Sequence, residues 1–139
     1  MKKNIMISLV SIQWQNDEKC ETELLTKAKY ACENGFDIIS YEDTSATGFE
    51  GSVTTIKVEG EKSASIVREG TANSALSLEI GRKHFCQYGT PYGNFQIGVY
   101  THAIENTISN NGRIYLKYTL DLNSSYLSDN EIIITVQDQ

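Results

Sequence analysis

Arg113-Ile114-Tyr115-Leu116-Lys117-Tyr118-Thr119-Leu120-Asp121-Leu122 sets Ile114, Leu116, Tyr118, Leu120 and Leu122 on one side of an extended chain, and Arg113, Tyr115, Lys117, Thr119 and Asp121 on the other. A period of two matches the pleat of a β-strand, not the 3.6-residue turn of a helix. With one face apolar and the other polar, this strand lies on a core and turns its back to water. Ser52–Glu59 repeats the theme, with Thr54, Ile56 and Val58 opposed to Thr55, Lys57 and Glu59. Working outward, further strands are expected over Asn4–Gln15, Phe36–Asp43, Ser63–Glu69, Ser74–Ile80, Lys83–Tyr88, Asn94–Ile108 and Glu131–Gln137.

Glu21–Glu33 carries good helix formers and an i, i+4 recurrence of Leu24, Ala28 and Cys32, yet it also alternates cleanly. Asn34-Gly35 follows directly, and Asn-Gly between alternating segments is a strong hairpin signal, so the segment reads as a strand. Turn chemistry separates the others at Gly60-Glu61-Lys62, Gly70-Thr71, Gly81-Arg82, Gly89–Gly93, Asn110-Asn111-Gly112 and Asn123–Asn130. Strands joined by short turns form an antiparallel meander, and a meander removes its exposed edges by closing. The expected fold is all-β: a closed antiparallel up-and-down β-barrel of about eight to ten strands, able to hold its own side chains or one small ligand but not an aqueous channel.

At 139 residues the chain is expected to make a single barrel domain, 1–139. Twelve Lys and Arg against eighteen Asp and Glu give a net charge of −6, which argues against nucleic acid or an anionic membrane as partner. No stretch reaches the roughly 18 apolar residues of a membrane span. Lys2-Lys3 followed by Ile5–Ile12 imitates a signal peptide but lacks a small-residue cleavage site, so no export is expected. Cys20, Cys32 and Cys86 are odd in number and not at zinc-like spacing, which fits reduced thiols in the cytoplasm. No metal site and no cofactor are expected.

Ser40-Tyr41-Glu42-Asp43-Thr44, the loop through Thr47-Gly48 to Gly51, Thr54-Thr55-Ile56-Lys57-Val58, Arg68 with Gly70, Thr90-Pro91-Tyr92-Gly93 and Gly98-Val99-Tyr100-Thr101 together resemble the YwiB-like family of small bacterial proteins. That resemblance spans nearly the whole chain and implies a calycin-like (lipocalin-like) β-barrel in a bacterial cytoplasm. It carries no catalytic or binding residue to transfer.

Candidate site residues therefore come from phase and chemistry. Glu42, in phase with Phe36, Ile38 and Ser40, and Arg68, in phase with Ala64 and Ile66, are expected to point into the barrel and to pair, since buried charges need partners. Such a pair would be the polar handle of an otherwise apolar cavity. His84, Cys86 and Tyr88 share one strand face; no third orienting group accompanies the imidazole and thiol, so they do not read as a nucleophilic pair. Tyr88, Tyr92, Tyr118 and His84 complete the ligand-contact candidates, and Phe49 is placed over the barrel mouth as a plug. Gly98 is read as a bend or bulge at a barrel corner. No acid–base or nucleophile constellation emerges, so the chain is read as a binder of a small hydrophobic or amphipathic molecule rather than an enzyme. The alternative is an interaction module with a solid core, for which a homo-oligomer is allowed.

Overall fold

A computed structural model describes residues 3–47, 49–71, 73–90 and 93–137, excluding the side chains of 87–90 and 93–94. Ten strands form one antiparallel sheet: β1 Lys3–Gln15, β2 Glu18–Glu33, β3 Phe36–Glu42, β4 Ser52–Glu59, β5 Ser63–Gly70, β6 Ser74–Glu79, β7 Lys83–Thr90, β8 Gly93–Thr107, β9 Arg113–Leu122 and β10 Ser125–Gln137. Their spatial order is β6-β5-β4-β3-β2-β1-β10-β9-β8-β7, which is an up-and-down meander whose first and last strands are neighbours. The seam therefore falls between β6 and β7. It is spanned by two isolated bridges, Glu79 with Arg82 and Ile80 with Thr101, in place of a continuous ladder. The expected all-β barrel is present, nearly closed, with its strand count at the upper end of the expected range.

Hairpin chemistry explains the tight connections. Asn34 (φ 53°) and Gly35 (φ 83°) both adopt left-handed conformations, as do Asn16 with Asp17 and Asn123 with Ser124. Two consecutive positive φ values are the signature of the two-residue turn whose twist matches the strands it joins. Several strand ends lie one to three residues from the sequence reading, and two differences are of another kind. β10 begins at Ser125, inside the segment read as a turn, because pairing with β9 through a bulge at Tyr126–Ser128 overrides the local polarity of Ser, Asp and Asn. Asn94–Ile108 loses its last residue to a single helical turn, α1 Ile108–Asn111, closed by Gly112 at φ 71°.

Residues directly opposite one another on paired strands share a face, so the register defines rows across the interior. Leu24, Leu9, Ile134 and Ile114 form one row; Ile39, Ile56 and Ile66 form another on the far wall with Leu76. These buried aliphatic residues make one continuous core with Ile7, Val58, Leu78, Val99 and Leu116. Next along the strands lie two polar rows. Tyr41, Thr54, Arg68 and Ser74 run across β3 to β6, while Asn130, Tyr118 and Thr101 run across β10, β9 and β8.

Gly98 is not a bulge; the β8 register shift lies at Thr101–Ala103. A Cβ on Gly98 would sit 2.5 Å from Asp121 Oδ1 and 2.6 Å from Lys83 Cε, so glycine is required there for the outer-face Lys83–Asp121 ion pair to pass over it.

Gly70 (φ 130°) and Gly60 (φ 54°) allow a direct comparison of strain. A Cβ at Gly70 would lie 2.5 Å from the Gly51 carbonyl oxygen, whereas Gly60 has open space. Gly70→Ala is expected to cost on the order of 3 kcal/mol, and Gly60→Ala about 1 kcal/mol for its left-handed backbone alone. Urea denaturation of both variants measures the difference; equal losses would mean that the Gly51–Gly70 approach relaxes freely.

Candidate functional site

After Glu42 the chain leaves β3, and the next side chain, Asp43, turns inward. Its backbone N–H donates to the Ser52 carbonyl (2.8 Å), and its side chain is fully buried. A buried carboxylate must find donors. Thr54 donates to Oδ2 at 2.6 Å, Thr47 donates to Oδ1 at 3.0 Å, and Arg68 Nε approaches Oδ2 at 3.4 Å while donating to Thr54 Oγ1 at 3.1 Å. Phe49 lies across the guanidinium, its ring centroid 3.8 Å from Arg68 Cζ. A cation held over an aromatic face gains electrostatic attraction there. The ring contact of Phe49 is thus the guanidinium itself.

This arrangement corrects the expected Glu42–Arg68 pair. Glu42 is exposed, because Ile39 and Tyr41 form the buried face of β3, which puts Glu42 outside and Asp43 inside. Arg68 does point inward, with Ala64 and Ile66. Its Nε is committed to Asp43 and Thr54, the Tyr41 hydroxyl also lies within hydrogen-bonding range of the guanidinium, and its side chain remains 18 % exposed.

Two phenols share this part of the interior. Burial pushes Tyr118 up to about 12, an effect opposed by the positive charge of Arg68 and reinforced by Tyr41. Tyr41 is likewise pushed up to about 12 by burial and then by the Asp43 carboxylate, with Arg68 and Thr54 acting in the opposite sense. Both phenols are thus neutral hydroxyls across the physiological range, each able to donate one hydrogen bond. Thr101, opposite Tyr118 in the β8–β9 register, is 1 % exposed, and its Oγ1 is one of two buried side-chain oxygens lacking a hydrogen-bond partner among the described residues.

The remaining candidates do not join this cluster. His84 is half-buried on the inner face of β7 and its Nε2 lies 2.9 Å from Glu79 Oε1, while Cys86 packs against the apolar core. Tyr92 lies outside the described residues, as does the side chain of Tyr88. No group of three His, Cys, Asp or Glu side chains among the described residues is arranged to hold a metal ion. No described helix is long and apolar enough to cross a membrane. The members not singled out from the sequence are Asp43, the first residue after β3, Tyr41 on β3 and Thr54 on β4.

A groove of about 860 Å³ opens beside β2, where β3 parts from it; Thr26, Lys27, Ala28 and Lys29 form one side, and Ser40, Tyr41, Glu42 and Val53 form the other. Tyr41 lies on both the groove and the polar row, so the two features adjoin.

A family model described as "Domain of unknown function (DUF1934)" matches residues 7–134. Among solved structures, the ywiB protein from Bacillus subtilis is similar in fold, with a TM-score of 0.75 at 17 % identity over 99 % of this chain and 94 % of that one. No curated protein matches the chain.

Two predictions follow from the burial of this cluster. Asp43→Ala removes the carboxylate that holds Arg68 Nε and is expected to cost about 3 kcal/mol, whereas Glu42→Ala changes stability by less than about 0.5 kcal/mol. Urea unfolding of the two variants decides which acid is structural. The pH dependence has a defined sign. A phenol raised from 10 to about 12 contributes stability that is complete below pH 10 and is lost as pH climbs towards 12, because the unfolded chain ionises first. The full displacement is worth about 2 to 3 kcal/mol per phenol at the top of that window. Unfolding midpoints between pH 8 and 11.5 should fall less steeply for Tyr118→Phe than for the parent; identical slopes would show that this phenol does not titrate on unfolding.

Proposed function

The chain belongs to the DUF1934 family, and within that family's barrel fold we propose that it binds a small amphipathic molecule whose polar, acidic end is met by Arg68. The observation that supports this reading is a part-buried guanidinium tethered at Nε, next to neutral phenols and a buried hydroxyl that has no partner among the described residues. A site of that composition has surplus donors and a shortage of acceptors. A carboxylate supplies acceptors in the planar geometry that an Arg fork prefers. Asp43 and Thr54 fix Nε and so orient the fork, Tyr41 and Tyr118 offer hydroxyl donors, and the groove that Tyr41 also lines offers room for an apolar tail. The Phe49 ring covers the guanidinium and must move for a ligand to reach it. On this reading the barrel is a calycin-like binding protein of the bacterial cytoplasm, and the one carboxylate of the cluster, Asp43, is held in hydrogen bonds to Thr54, Thr47 and Arg68.

Displacement of the fluorescent probe anilinonaphthalene sulfonate by decanoate and by decanol tests the reading. Decanoate should bind at least tenfold more tightly than decanol, the equivalent of about 1.4 kcal/mol or more for a charge-assisted contact. Arg68→Met should abolish that preference while leaving decanol unchanged. Equal affinities in the parent, or an unaltered preference in Arg68→Met, would refute the role given to Arg68.

A further inference from the structure

β2 is sixteen residues long and pairs with β1 along Glu18–Tyr30, but on its other side β3 pairs with it only along Lys29–Glu33. From Glu18 to Ala28 this second edge has no strand partner among the described residues, and none of the turn and loop backbone hydrogen bonds reaches it. An unpaired edge of this length is a template for another strand. The 860 Å³ groove lies against its Thr26–Ala28 part. Natural edges are usually guarded by charges, and β2 does carry them on its outer face: Glu21, Glu23, Leu25, Lys27 and Lys29 in succession. Their order is the informative feature. Acids precede Leu25 and bases follow it at equal distances, and Leu25 itself is 65 % exposed.

We infer that this edge pairs antiparallel with the same edge of a second copy of the chain, with the two-fold axis at Leu25. In an isologous antiparallel pair, residues equidistant from the axis face one another. An axis at Leu25 opposes Glu23 to Lys27 of the second copy, and the reverse, and brings the two exposed Leu25 side chains together. On the inner face it opposes Leu24 to Thr26 and Thr22 to Ala28. The ladder Thr22–Ala28 falls wholly within the free segment. Moving the axis to Glu23 would set that acid against itself and Lys19 against Lys27; moving it to Lys27 would set that base against itself. Like charges directly opposite are destabilising. The register about Leu25 thus gives each charged residue of the ladder Thr22–Ala28 an opposite partner and covers the most exposed aliphatic side chain in it.

Sedimentation velocity on the full chain tests this. The parent should sediment as a dimer, twice the 15.5 kDa chain, in the micromolar range. Glu23→Lys and Lys27→Glu, each alone, should weaken the dimer at least tenfold, and the doubly exchanged Glu23→Lys/Lys27→Glu chain should recover it to within about threefold. An equimolar mixture of the two single variants should also dimerise, because each then supplies the charge the other lacks. A parent that stays monomeric at 100 μM, single variants that dimerise unimpaired, or a double variant that fails to recover would each overturn the proposal. Arg68→Met should dimerise as the parent does, which keeps this result separate from ligand binding. Circular dichroism checks that the variants retain the barrel; Glu23 and Lys27 are both on the outer face.

Discussion

β3 keeps company with β2 only from Lys29 to Glu33, and much of what distinguishes this barrel depends on that short pairing. A strand that continued would have carried Glu42 and its successors up the wall. Instead the chain leaves the sheet after Glu42, and its next residue folds inward. Asp43 then becomes a buried anion that must be satisfied, and the residues within reach are those of the neighbouring strands: Thr54 on β4 and Arg68 on β5. The same departure leaves one edge of β2 unpaired and opens the groove between Thr26–Lys29 and Ser40–Val53. A single early exit thus produces an interior polar cluster and an exterior free edge.

Stability alone gives a weak account of the polar cluster. Replacing a buried ion pair with well-packed apolar residues is often neutral or favourable, because the removal of two charges from water costs nearly as much as their attraction returns. Rows of Ile, Leu and Val fill the rest of this interior without such expense. Beside the Tyr41–Thr54–Arg68 row both oxygens of Asp43 accept hydrogen bonds, so the carboxylate anchors Arg68 at Nε, and the guanidinium keeps part of its surface exposed. Lysine could not take its place, since a point charge on a flexible stem cannot be tethered at one nitrogen and still present a planar fork.

Most of the fold was legible because period two is a strong signal wherever one face is apolar. Ser52–Glu59 and Arg113–Leu122 have the limits their alternation implies, and Asn34-Gly35 makes the turn its dipeptide implies. β3 was the weak point for a physical reason. Phe36 and Ile38 lie on one face, Ile39 and Tyr41 on the other, so its alternation points both ways, and the inner face is decided by what the strand pairs with. Opposite Tyr41 stands Thr54, in phase with Ile56 and Val58; carrying that unambiguous phase across the β3–β4 pairing would have turned Glu42 outward. Ser125–Asn130 failed differently: its polar residues favour a turn locally, and only the β9 ladder makes them a strand. Gly98 could not be read at all, since its reason is an ion pair brought over it from two other strands.

Period two also separates two kinds of constraint on one strand. On β2 the inner residues Leu24 and Ala28 answer to the core, where volume and apolarity decide. Outer residues at an edge answer only to what approaches from outside, and an edge that merely avoids neighbours needs charge of any order. Uniform lysines would serve, and so would uniform acids. The order Glu-x-Glu-x-Leu-x-Lys-x-Lys does the opposite of simple avoidance, because it is its own complement when reversed. It repels copies arriving about Glu23 or Lys27 and attracts one arriving about Leu25. Specificity of this kind comes from penalising the wrong pairings as much as from rewarding the right one. The central leucine carries no such discrimination; its part is to give the selected register apolar area to bury.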